Sequence, residues 1–119
     1  MEFKTLIAYQ KAKDLYKLIS DEIVSNLTDR IVKDQLRRAS LSIVLNIAEG
    51  TSRLSRADQR HFFVIARGST YECYVIVDLL NNDNSRVLNS VQTQLEEISK
   101  MLYALIKRLS KEENTGKSL

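Results

Sequence analysis

The fold is decided by two segments: residues 35–50 read QLRRASLSIVLNIAEG, and after a polar turn residues 62–72 read FFVIARGSTYE. Both segments are too apolar for an ordinary surface helix, yet polar residues recur inside them at intervals of three and four. Residues separated by three, four or seven positions share one face of an α-helix. The spacing therefore predicts two helices, each carrying one polar line within an apolar surface.

The two polar lines predict how these helices pack together. A buried polar group without a hydrogen-bond partner costs about 1–3 kcal/mol, so we expect the lines to pair across a close contact. Gly68 would permit close backbone approach and so offset the roughly 1 kcal/mol that a glycine costs inside a helix. The predicted structural polar cluster comprises Arg38, Ser42, Asn46, Glu49, Ser69 and Glu72.

The rest of the chain predicts an all-α protein. Its 119 residues are typical of one domain, and they include no proline and three glycines. Apolar periodicity, helix-capping residues and an asparagine-rich turn predict helices at about residues 6–26, 30–51, 56–80 and 86–111. Because the connections are short, we expect residues 1–119 to form a single antiparallel up-down-up-down four-helix bundle.

The same segments carry a resemblance to a known family. The strings NIAEG at residues 46–50 and ARGS at residues 66–69 are similar to those of a bacterial four-helix-bundle family. That family is encoded in intervening sequences of large-subunit ribosomal RNA genes, and its relatives include the accessory variability protein of diversity-generating retroelements. Val44 and Tyr74 stand where the family often has a proline and a carboxylate. The resemblance implies a ring-like pentamer around a central channel and a role with RNA.

The second and third helices are also apolar on more than one face. Leu41, Leu45 and Ala48 fall outside the inner stripe of the second helix, and apolar residues similarly surround the third. A large exposed apolar patch commonly marks an interface. We therefore expect a homo-oligomer built through these two helices, and the resemblance implies that it has five subunits.

Positive charge is concentrated in one part of the chain. The net charge is +3, whereas residues 30–67 alone contain eight basic and three acidic residues. Arginine is suited to bidentate contacts with phosphate, although a solvated helix face could show the same composition. No base-reading motif is recognisable, so any nucleic-acid contact is expected to be weakly selective. The candidate contacts are Arg53, Arg56, Arg60, Lys107, Arg108 and Lys111.

The number and spacing of the candidate catalytic and metal-binding residues argue against an enzyme. His61 and Cys73 would lie about three turns apart on one helix, too far for a nucleophile and its base. One histidine and one cysteine are too few for a zinc site or a di-iron site, so we expect no catalytic residues, no metal and no cofactor. Glu49 and Glu72 could act as an acid–base pair, but nothing nearby supplies a nucleophile, and a structural role is favoured.

These observations lead to one functional hypothesis and one rival. The chain is predicted to be a non-enzymatic homo-oligomeric scaffold that binds structured RNA or a ribonucleoprotein through a basic surface. The rival is a protein-binding adaptor ring with no nucleic-acid role. The lone cysteine, the lack of a signal-peptide pattern and the lack of a membrane-spanning run predict a cytoplasmic protein without membrane association.

Overall fold

The predicted all-α four-helix bundle is confirmed. The computed structural model describes residues 2–117, with side chains described over residues 2–110. Within this range the chain forms helices and no strand: α1 (Phe3–Leu18), α2 (Arg30–Ser52), α3 (Arg56–Leu80) and α4 (Arg86–Lys117). Each helix packs against the next one in the chain, and α1 also packs against α4, which closes the bundle.

Side chains at the helix starts explain where two of these helices begin. Asp29 Oδ1 accepts hydrogen bonds from the backbone N–H groups of Ile31 and Val32, at 2.9 and 3.2 Å, and so caps α2. Ser55 Oγ accepts from the backbone N–H of Asp58 at 3.1 Å and caps α3. The sequence places the starts of these helices at about residues 30 and 56, and α2 and α3 begin at Arg30 and Arg56.

The first and last helices end differently from the prediction. After α1 the chain continues through a π-helical turn at Ile19–Ile23 and a 3₁₀ turn at Val24–Asn26. Ile23, at the end of the π-helical turn, and Val24, at the start of the 3₁₀ turn, are both buried. Helix α4 extends to Lys117, beyond the predicted end at residue 111.

The core is built from the predicted apolar stripes. Buried apolar residues at intervals of three and four are Ala8, Ala12 and Leu15 on α1, Leu36, Ala39, Ile43 and Ile47 on α2, and the set from Val91 to Leu109 on α4. Val32 and Leu88, which extend the α2 and α4 sets towards one end of the bundle, are half-buried. From α3 the core receives Phe63, Ala66 and Val77, together with the Cys73 thiol. This core leaves one side of the α2–α3 pair without cover.

That uncovered side is what we call the outer face. It presents large apolar side chains to solvent, among which Leu45, Val75 and Leu79 are each more than half exposed. Isolated exposed apolar residues are normal, but six large ones on two adjacent helices are more than isolated exposure explains. The outer face consists of Leu41, Leu45, Val64, Ile65, Val75 and Leu79.

The two glycines of α2 and α3 have opposite surroundings. A Cβ atom built on Gly50 would lie 2.5 Å from Cε1 of Phe63, so this glycine permits the close contact between α2 and α3. A Cβ atom on Gly68 would meet nothing within 4 Å. The expectation that Gly68 serves close approach is therefore wrong within this chain, because Gly68 points outward and Gly50 points at the neighbouring helix.

Candidate nucleic-acid interface

Three residues of the predicted polar cluster meet between α2 and α3. Ser42 Oγ and Ser69 Oγ lie 2.7 Å apart, and Asn46 Nδ2 donates to Ser42 Oγ at 3.0 Å and to the Ser42 carbonyl at 2.9 Å. We call this group the polar seam. Because the Ser42 and Ser69 hydroxyls can bond to each other only when they stand opposite, the polar seam favours one register of the two antiparallel helices.

The three charged members of the predicted cluster lie outside the polar seam. The Glu49 side chain is 52% exposed, and its carboxylate accepts a hydrogen bond from Arg53 at 3.0 Å. Arg38 and Glu72 are exposed, and neither bonds to the polar seam among the described residues. The six-residue cluster is thus corrected to three residues, because solvent hydrates the charged groups at far lower free-energy cost than the helix interface would.

The predicted basic positions lie at one end of the bundle, where α2 ends, α3 begins and α4 passes. Arg60 on α3 donates through Nε to Ser110 Oγ on α4, so the two predicted groups are neighbours in space. Lys111 belongs to the predicted set, but its side chain lies outside the described residues. We call the others the basic end: Arg53, Arg56, Arg60, Lys107 and Arg108.

Two arginines of the basic end have carboxylate partners. Arg53 bonds to Glu49, and its guanidinium lies 4.6 Å from the centre of the Phe62 ring. Arg108 binds Glu2 through both guanidinium N–H₂ groups, each at 2.6 Å, and these hydrogen bonds lower the pKa of Glu2. Solvent-exposed ion pairs contribute at most about 1 kcal/mol each, so a phosphate group can compete for these arginines.

The structure also contains a groove between α3 and α4 that the sequence analysis missed. We call it the tyrosine groove, because Tyr71 and Tyr103 stand on its two sides with Arg67 between them. It comprises two adjoining cavities of about 420 and 440 Å³ that share these three residues. The sequence signal was partial: Arg67 and Tyr71 are four residues apart on one helix face, but Tyr103 belongs to another helix.

The remaining chemical features of the described residues are the metal-ligating side chains and the single thiol. They contain no group of three or more histidine, cysteine, aspartate or glutamate residues that could hold a metal ion. Burial, reinforced by the nearby Glu72 carboxylate, raises the pKa of the Cys73 thiol to about 12, so the thiol is protonated at neutral pH. None of the helices within the described range is both long enough and apolar enough to cross a membrane.

Comparison with known proteins places this geometry in context. The profile of the 23S rRNA-intervening sequence protein family matches residues 4–104. A crystal structure at 1.70 Å of a protein with unknown function, from the S23 ribosomal protein family of Bacteroides thetaiotaomicron, is 28% identical and superposes with a TM-score of 0.68. The match covers 87% of this chain and 95% of that protein. No curated protein matches the chain in sequence.

Proposed function

Since this chain belongs to the 23S rRNA-intervening sequence protein family, we propose that it is a non-enzymatic homo-oligomeric scaffold that binds structured RNA or a ribonucleoprotein. The basic end is the binding surface. The observation that carries the proposal is the meeting of cations from α3 and α4, fixed by the bond from Arg60 to Ser110. Basic groups from two helices can contact successive phosphates of one strand, and such contacts are cumulative.

Self-association would enlarge this surface. The outer face supplies exposed apolar side chains suited to contact with another copy, and in a ring each copy carries its basic end on the same side. The phosphate contacts of several copies would then act on one RNA molecule. A five-membered ring, as the family resemblance implies, would repeat the basic end five times around one rim.

The salt dependence of RNA binding tests the proposal. Each phosphate contact contributes about 0.7–0.9 to the slope of log K against log salt concentration, so several copies acting together should give a steep slope. Replacing Arg53, Arg56 and Arg60 by glutamine should flatten the slope and weaken all RNA sequences alike. Lys107 remains in the variant, so binding should be reduced and not abolished.

A matched control separates the basic end from net charge. Arg30, Lys33 and Arg86 lie at the opposite end of the bundle, and replacing them by glutamine removes the same charge there. This control variant should keep the wild-type slope. Equal flattening in both variants would show that overall charge, and not the basic end, attracts RNA.

The rival function is a protein-binding adaptor, and the outer face is the observation that favours it. At the start of α2 and the end of α3 this face continues into an apolar cavity of about 590 Å³, lined among others by Ile31, Val75 and Leu79. A partner helix could place apolar side chains in such a groove. Absence of RNA binding at low salt, where electrostatic contacts are strongest, would favour this adaptor over the scaffold.

A further inference from the structure

The tyrosine groove has an unusual centre, in which one arginine lies between two tyrosine rings. The guanidinium carbon of Arg67 is 5.1 Å from the centre of the Tyr71 ring and 5.1 Å from that of the Tyr103 ring. Arg67 Nη2 also donates to the Tyr71 hydroxyl at 3.0 Å. These contacts hold the two rings in place, so a planar ligand would not have to order them on binding.

Arg67 has hydrogen-bonding capacity that residues 2–110 do not use. Its Nε is buried and has no acceptor among the described residues, and no described carboxylate forms an ion pair with it. An unsatisfied buried donor is uncommon in folded proteins and calls for a specific explanation. A positive charge without a counter-ion, set in a groove, favours an anionic ligand such as phosphate.

The tyrosine rings remain accessible beside this cation. Tyr71 is 52% exposed and Tyr103 is 51% exposed, although each ring also contacts Arg67. Gly68 lines the same groove and leaves open space where a side chain would stand. Exposed aromatic rings next to cations are the usual platform for unpaired bases, because every base has a flat face that can stack.

We propose that the tyrosine groove binds unpaired nucleotides, whose bases stack on Tyr71 and Tyr103 while Arg67 neutralises phosphate. This inference rests on the proposed RNA-binding function and deepens it by naming the class of RNA and a second contact region. Arg60 connects the two regions, since it belongs to the basic end and also lines the tyrosine groove. An RNA strand held at the basic end can therefore continue into the groove.

The charges in the groove indicate at which end of it the phosphates of the bound strand lie. Lys100 and Glu96 line the cavity away from the basic end. Desolvation and the nearby Glu96 carboxylate raise the pKa of Tyr74. Phosphates should avoid Glu96 and lie towards Arg67 and Arg60, where no acidic side chain among residues 2–110 lines the groove.

Binding of two RNA probes to the full chain tests the inference. One probe is a hairpin with a loop of about eight unpaired nucleotides, which is within the usual site size for single strands, and the other is a blunt duplex with the same stem. Wild type should prefer the hairpin. Tyr103→Leu should weaken hairpin binding about 5- to 150-fold, the usual loss for one stacked base, and leave duplex binding unchanged.

Conservative and neighbouring variants control for side effects. Tyr103→Phe keeps the ring and should bind the hairpin within about twofold of wild type, because stacking needs only the aromatic face. Tyr71→Leu should act as Tyr103→Leu does. Neither leucine variant should change the salt slope, since stacking releases no counter-ions. Light scattering on each variant establishes that assembly is unchanged.

The outcomes separate this inference from the function on which it rests. If both leucine variants bind the hairpin as wild type does, while the variant of Arg53, Arg56 and Arg60 has a reduced salt slope, the tyrosine site is overturned. The basic end then stays as the RNA-binding surface. If hairpin binding is weakened in the leucine variants but the arginine changes have no effect, the basic end is overturned as the binding surface and the tyrosine site stays. Loss of assembly in a leucine variant assigns the rings to a contact between copies and overturns the inference. Failure of wild type to bind either probe at low salt overturns both proposals.

Discussion

The two glycines of the central helices provide a direct test of the packing described above. Neither Gly50 nor Gly68 has a positive φ angle, so alanine fits the backbone at both positions. Each substitution should restore about 1 kcal/mol of helix propensity. Both also remove the same freedom from the unfolded chain, so a difference between the variants reports their folded surroundings.

The structure predicts opposite signs for the two substitutions. At position 50 the new Cβ would stand 2.5, 2.8 and 3.1 Å from three carbons of the Phe63 ring, which is 3% exposed and has little room to move. Over-packing of this severity costs about 3 kcal/mol, which leaves Gly50→Ala about 2 kcal/mol less stable after the gain in propensity. Gly68→Ala should be about 1 kcal/mol more stable, because nothing lies within 4 Å.

Urea and thermal unfolding at one fixed protein concentration measure this difference. For a chain of this length, 1 kcal/mol corresponds to roughly 3–6 °C in melting temperature, so the two variants should melt at clearly separated temperatures. Phe63→Leu combined with Gly50→Ala should lose less stability than the sum of the single changes, because the smaller side chain removes the clash. Equal or reversed effects of the two alanine substitutions would refute the conclusion that the space around each glycine decides the sign of the stability change.

Three further expectations follow from the polar seam, the Cys73 thiol and the outer face. Asn46→Leu should lose about 1–3 kcal/mol of unfolding free energy in urea, since it removes two hydrogen bonds to Ser42 that each contribute about 0.5–1.5 kcal/mol, whereas the exposed Glu49→Ala should lose less than about 1 kcal/mol; similar losses would contradict the assignment of Asn46, and not Glu49, to the polar seam. The unfolding free energy should fall as pH rises from about 9 to about 12, because the unfolded Cys73 thiol ionises near its ordinary pKa of 9.0 while the folded thiol stays protonated; Cys73→Ala should lack this component. Light scattering should give a mass several times 13.7 kDa, and Leu45→Lys, which places a charge on the outer face, should reduce that mass; a wild-type monomer would exclude the ring.

Local pattern was sufficient to predict the helical class and much of the core. Asp29 and Ser55 cap their helices through bonds to residues two or three positions away, which makes such starts visible in a linear sequence. The stripe from Val91 to Leu109 is buried because intervals of three and four keep its members on one face of α4. The additional apolar residues on α2 and α3 likewise indicated the uncovered outer face.

Contacts between helices were decided only by the tertiary structure. The sequence shows two helical glycines, but the crossing of α2 and α3 determines that Gly50 faces Phe63 and that Gly68 faces open space. Helical periodicity placed Glu49 in line with Asn46 on α2. The Glu49 carboxylate instead forms an ion pair with Arg53, because solvent hydrates both charged groups there.

The candidate binding surfaces show the same division. Arg53, Arg56 and Arg60 could be identified from composition, whereas their proximity to Lys107 and Arg108 depends on the antiparallel packing of α3 and α4. The tyrosine groove was missed altogether because its two walls come from different helices. Helical periodicity determines which residues share a face along one helix, and only the packing of helices decides which faces meet.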